Sequence, residues 1–283
     1  MVKRILFIFI LLVSTFSFSQ LSKNHYIPPI SSGPSNADPL DQLMYISTPN
    51  QGDVNFTINI VGGNSISGTV SNATPYVYGI ADSGYSSFVQ DPATTSRVTS
   101  DKGYIINADS PIYVSVRLNA GNNAQAGALV SKGENALGTT FRVGTYDNQG
   151  SPGSNYLNFF SFMATEDNTT VNLTNERVTS GLQIQNAGAQ QFPINNISLN
   201  RGQTYVVAVK PEDTNENRAG LIGTLVSSDK PIVVNSGSAN GSFGNGGARD
   251  YGIDQIVELS KVGKEYIFVK GDGDNSFENV LVV

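Results

Sequence analysis

The chain has no cysteine and no tryptophan, and among its 283 residues there is a single histidine, His25. Each absence removes a class of chemistry. Without cysteine there is no thiol nucleophile, no thiolate-ligated zinc and no disulfide to staple a small fold, so stability must come from a hydrophobic core. With one histidine, a His-rich metal site is excluded, and a Ser-His-Asp arrangement would depend on His25 alone. Without tryptophan, a sugar-binding cleft loses its usual stacking platforms. Charge is also sparse: charged residues make up 14 % of the chain and the net charge is −6. No basic block is present, which argues against nucleic acid or an anionic membrane surface as partner.

Long apolar runs are absent with one exception. Met1-Val2-Lys3-Arg4 is a short basic stretch followed by the uninterrupted run Ile5 to Val13. That run is too short to span a bilayer and has the length of a signal-peptide core. Ser17 and Ser19 supply the small residues of a cleavage site, placing the cut between Ser19 and Gln20. The sequence therefore predicts a signal peptide over 1–19 and a mature chain, exported to the outside, with no transmembrane segment.

What is abundant is turn and strand chemistry. Residues 20–41 are rich in Pro, Ser, Gly and Asn without periodicity and read as an extended lead-in. From there strand patterns dominate. Val54 to Ile60 alternates apolar and polar residues, and Ile112, Val114, Val116 and Leu118 repeat the pattern. Tyr205 to Val209, Ile232 to Val234, Tyr266 to Val269 and Val280 to Val283 are short runs of the buried-strand type. Tyr251 to Val262 is the one stretch with helical spacing, through Ile253, Ile256 and Val257. The expected class is all-β, built from tandem β-sandwich-like domains.

An internal duplication supports the tandem reading. Ile46-Ser47-Thr48 and Val54 to Thr57 match Met163-Ala164-Thr165 and Val171 to Thr174, 117 positions on. Ala108 to Val114 matches Ser228 to Val234 at 120, and Gly138 to Gly144 matches Gly263 to Val269 at 125. The matches are collinear, so the expected domains are 42–158 and 159–283. In both copies a proline, Pro111 or Pro231, is expected to open a strand. The apolar end Val280 to Val283 reads as a strand cut short, which suggests a fragment of a longer protein.

Gly223-Thr224-Leu225-Val226-Ser227-Ser228-Asp229-Lys230-Pro231-Ile232-Val233-Val234-Asn235-Ser236-Gly237, then Asp250 to Gln255, then Gly263 to Val269, resembles the IgGFc-binding protein N-terminal domain family. The resemblance covers most of residues 41–283. Leu21 to Pro29, directly after the signal peptide, resembles the start of gliding-motility-associated surface proteins of Bacteroidetes that use the type IX secretion route. Together these imply a secreted or outer-surface adhesion module with an extracellular protein or glycan ligand. They bring no catalytic residues, no cofactor and no metal. The cysteines of the family's animal members are missing, so details of ligand binding do not carry over.

Some residues are candidates for chemistry of their own. Asp91, Asp109, Glu166, Asp167, Glu212, Asp213, Asp250 and Asp254 are the acid/base candidates, and nearly all sit in turn-like contexts where a carboxylate caps its own backbone. Asp272 and Asp274 in Gly271 to Ser276 have calcium-like spacing but lack the rest of an EF-hand loop, and a hairpin turn explains them. Asn55, Asn168, Asn172, Asn196 and Asn240 begin glycosylation-type triplets that this composition produces by chance. Ser236 to Gly247 reads as a long loop. Loops 82–92, 210–220 and 236–250 are the expected binding surfaces. The rival readings are a structural spacer, and a carbohydrate-binding module or enzyme drawing on Tyr85, Tyr104, Tyr146 and Tyr156.

Overall fold

The computed structural model describes residues 20–33, 39–121, 125–146, 157–177, 181–188, 192–210, 215–241, 250–269 and 282–283. The fold is all-β and sandwich-like, and one five-residue helix, α1 (Asn215–Ala219), is the only α-helix among the described residues. The strands are β1 (Ser22–Ile27), β2 (Ile30–Ser31), β3 (Pro39–Ser47), β4 (Val54–Ile60), β5 (Ser65–Val70), β6 (Tyr76–Ser83), β7 (Val89–Gln90), β8 (Val98–Thr99), β9 (Tyr104–Ala120), β10 (Gln125–Val130), β11 (Gly138–Arg142), β12 (Leu157–Ala164), β13 (Thr169–Thr174), β14 (Ile194–Leu199), β15 (Thr204–Ala208), β16 (Leu225–Gly241) and β17 (Asp250–Ile256).

Two 17-residue strands organise the two large sheets, and β2 and β7 form a separate two-stranded parallel sheet. The first half of β9 pairs with β1 and β4, and β4 continues into β5. The second half pairs with β3 and β10, and β3 pairs with β6. β16 repeats this plan: its first half pairs with β11 and β13, which leads to β14, and its second half with β12 and β17, with β15 beyond β12. The second sheet has one extra strand, β8, on β15.

The change of partners falls at the prolines. Residues 109–111 of β9 and 229–231 of β16 have no partner in either ladder. Pro111 and Pro231 therefore sit inside long strands rather than opening them. They are tolerated because their missing N–H falls where no ladder bond is due. Thr48 and Thr165 each donate a side-chain hydrogen bond to the proline carbonyl, at 3.0 and 2.6 Å.

The change of partners also folds the first sheet over on itself. β4 and β6 are three places apart in it, about 14 Å if it were flat. Yet the rings of Phe56 and Tyr76 stand 4.9 Å apart, edge to face. Met44, Ile46, Val54, Phe56, Ile58, Ile106, Val114 and Val116 fill the space between the layers. The second core gathers Phe141, Phe160, Phe162, Val171, Leu173, Val226 and Val234. A fully buried side chain of this size contributes about 1.5–3 kcal/mol.

Several expectations are corrected here. Residues 20–41 contain β1, β2 and the start of β3, and Ile27 and Ile30 are fully buried, so the stretch is packed chain rather than a lead-in. Its polar composition conceals this because its polar groups are paired inside the protein. Tyr251 to Val262 forms β17 and a 3-10 turn (Leu259–Lys261), not a helix: pairing with β16 overrides the helical spacing. Ser236 to Gly241 belongs to β16 and is buried, whereas 242–249 lies outside the described residues. Tyr266 to Val269 is neither strand nor buried.

Candidate functional site

β1 pairs with β9 in the first sheet, and the second sheet supplies further hydrogen bonds to it and to the residues after it. Gln255 Nε2 donates to the Tyr26 carbonyl at 2.9 Å, and Asn235 Nδ2 to the Pro28 carbonyl at 2.8 Å. Ser161 Oγ donates to the Pro29 carbonyl at 2.5 Å, and the Gly33 N–H donates to the Tyr251 hydroxyl at 3.1 Å. Ser161, Asn235 and Gln255 are fully buried. Unpaired, each buried carbonyl would cost on the order of 1–3 kcal/mol, so these side chains fix where the segment lies.

His25 is part of the same seam and is also fully buried. Its Nε2 lies 3.1 Å from the Ser22 carbonyl and 3.0 Å from that of Ile112, which requires a proton on Nε2. Nδ1 then accepts from the Ser131 hydroxyl, 2.9 Å away. Burial pushes the imidazole below its ordinary value, against the two carbonyls and Glu134, which raise it. A serine touching a histidine looks like half of a catalytic pair. With both side chains at 0 % exposure, no substrate reaches either.

Two recesses lie by β17 and the turn that follows it. One, of about 540 Å³, is lined by Gln20, Lys132, Asn135, Val257, Ser260 and Lys261. The other, about 360 Å³ and more open, is lined by Tyr146, Ser236, Gly237, Gly252, Ile253 and Asp254 among others. Lys132, which lines the first, and Asp254, which lines the second, form a 2.7 Å ion pair. The Gln255 carbonyl accepts a further bond from Lys132 Nζ. In the second recess the Tyr146 ring lies on glycines: a Cβ at Gly252 or Gly241 would overlap it. Burial and the nearby Asp250 push its phenol up. These recesses can accept a ligand's polar and apolar groups.

Of the candidate carboxylates, Asp91 caps its own turn, whereas Asp109 on β9 and Asp250 and Asp254 on β17 lie in strands and bond partners far off in sequence. Asp91 accepts from the Ala93 N–H, Asp109 from Asn55, Asp167 from the Arg201 N–H and Asp250 from the Ala126 N–H. The Glu166 backbone carbonyl accepts from the Thr169 hydroxyl. Glu212, Asp213, Asp272, Asp274 and Tyr156 lie outside the described residues. Among the described residues no group of three metal-ligating side chains is present. Glu258, which sequence reasoning passed over, accepts from the Thr139 N–H and hydroxyl and from Ser260, and these bonds hold its carboxyl below the usual range.

The expected binding loops are partly internal. In 82–92, Tyr85 is 51 % exposed, but Phe88, Val89 and Gln90 are buried, and Ser86 ties the loop to Gln42. In 210–220, α1 packs down, with buried Asn217 accepting from the Gln183 N–H and donating to the Lys210 carbonyl. Of the tyrosines, Tyr104 is buried and Tyr85 is half exposed.

A family model described as IgGFc binding protein matches residues 126–283, from β10 onward and more than half of the chain. The chain belongs to this family. The match spans β16, β17 and most residues of both recesses, and the family is one of binding domains rather than enzymes. No curated protein and no solved structure matches the chain. No helix among the described residues is long and apolar enough to cross a membrane.

Proposed function

We propose that this chain is a non-enzymatic binding and adhesion module displayed outside the cell, with a protein as its ligand. Membership of the IgGFc-binding family over 126–283 carries this reading. The recesses beside β17 are the contact surface it favours, because most of their lining lies within the matched region and combines lysines, amides and apolar side chains. Export through a signal peptide cut after Ser19 fits the fold: β1 begins at Ser22, so the cut leaves it whole. The resemblance of Leu21 to Pro29 favours a bacterial surface protein of the type IX route.

The test uses residues 20–283, immobilised and exposed in turn to immunoglobulin Fc, a panel of extracellular matrix proteins and a glycan array. Saturable binding to a protein, weakened by Lys132→Glu or Ile253→Asp, is the expected result. Binding confined to glycans assigns the chain to a carbohydrate-binding module instead. No binding to any of the three favours a spacer.

A further inference from the structure

The exposed apolar segment Tyr266 to Val269 has an equivalent elsewhere in the chain, and that equivalent is a core strand. β10 ends at Val130 and is followed by a 3-10 turn (Gly133–Ala136), Leu137 and then β11. β17 ends at Ile256 and is followed by a 3-10 turn (Leu259–Lys261), Val262 and then Gly263. The order of elements is the same at every step. Both turns close alike, the N–H of Leu137 bonding to the Glu134 carbonyl and that of Val262 to the Leu259 carbonyl. Gly263-Lys264-Glu265-Tyr266-Ile267-Phe268 thus stands where Gly138-Thr139-Thr140-Phe141-Arg142-Val143 stands one repeat earlier.

Their surroundings differ. Phe141 and Val143 are fully buried, and β11 pairs with the first half of β16, as β1 pairs with the first half of β9. Tyr266 and Phe268, in the corresponding places, are 60 % and 64 % exposed, their rings stacked 6.4 Å apart. Neither described sheet has this position open, because β1 and β11 already fill it.

We infer that residues 263–269 are the first strand of a further unit built on the plan of the two described sheets. The partner this surface fits is such a unit lacking its own first strand. Tyr266 and Phe268 enter its core while the backbone of 264–269 pairs with the first half of its long strand, a β-augmentation within an array.

Two experiments on residues 20–283 decide it. Deleting 263–283 removes no part of either described sheet, so the melting temperature and the amide protection of β11 and β16 stay unchanged; a loosened second sheet overturns the inference. In the second, residues 270–283 are replaced by a second copy of 144–262, a unit without its first strand. A control chimera carries a second copy of 138–262. Amides of 264–269 are expected to go from fast exchange to protection like that of β11 in the first chimera only. Tyr266→Asp with Phe268→Asp should unfold the added unit there and leave the control's intact. An added unit folded in the control but not in the first chimera overturns the inference. So does self-association of 20–283 that deleting 263–283 abolishes, since the occupant would then be a second copy of this chain.

Discussion

The imidazole of His25 and the hydroxyl of Ser131 meet at 2.9 Å in the interior, 106 positions apart in sequence. Their contact ties β1 to the residue that follows β10, and Ser131 Oγ also lies 3.2 Å from Gln255 Oε1 on β17. The one histidine is thus a structural joint at the junction of the two sheets.

This joint makes stability depend on pH. Burial lowers the folded-state pKa of His25 below 6.5, its ordinary value. The unfolded chain therefore takes up the proton first as pH falls. The stability that neutral His25 contributes is fully present above the ordinary value and is lost as pH falls through it toward the folded one. Urea midpoints measured from pH 8 to pH 5 should fall more steeply for the native chain than for His25→Gln. Parallel curves would show that His25 has no part in the pH dependence.

Asn235 and Gln255 should behave as a coupled pair. Gln255 satisfies the Tyr26 carbonyl of β1 and Asn235 the Pro28 carbonyl just after it, and the two side chains lie 3.3 Å from one another. Asn235→Leu and Gln255→Met are each expected to cost about 1–3 kcal/mol by leaving a buried carbonyl unpaired. Because the two share a network, the double variant should cost less than the sum. Chemical denaturation of the four chains reads out the coupling.

At Gly127 strand β10 packs tightly on β17. A Cβ there would lie 2.5 Å from the Cβ of Tyr251, which cannot swing aside as a side-chain end could. Gly79 has nothing within 4 Å of its Cβ position. Gly127→Val should lower the melting temperature by several degrees, with overpacking of about 1–3 kcal/mol. Gly79→Val, in strand β6, should leave it nearly unchanged.

The sequence made some parts of this fold legible and hid others, for physical reasons. Val54 to Ile60 alternates cleanly because β4 has one core face, and its strand bounds are those observed. β12 has no such alternation: all eight of its residues are buried, Asn158 and Ser161 among them. In the stretch Ser22 to Ser32, the side chains that satisfy the backbone include Ser161, Asn235 and Gln255, far away in sequence. A local reading sees only polar and proline residues there. The same blindness hid His25, whose burial depends on Ser131 and Ile112. The recesses were hidden too, since Lys132, Asn135 and Lys261 converge only after β17 is laid against β16.

The central claim is that the two sheets, built alike, are fused through the buried seam into one folding body that presents the recesses. Scanning calorimetry of residues 20–283 tests it most directly. The predicted result is a single transition whose calorimetric and van't Hoff enthalpies agree, splitting into two when Asn235→Leu and Gln255→Met are combined. Two separate transitions in the native chain would contradict it.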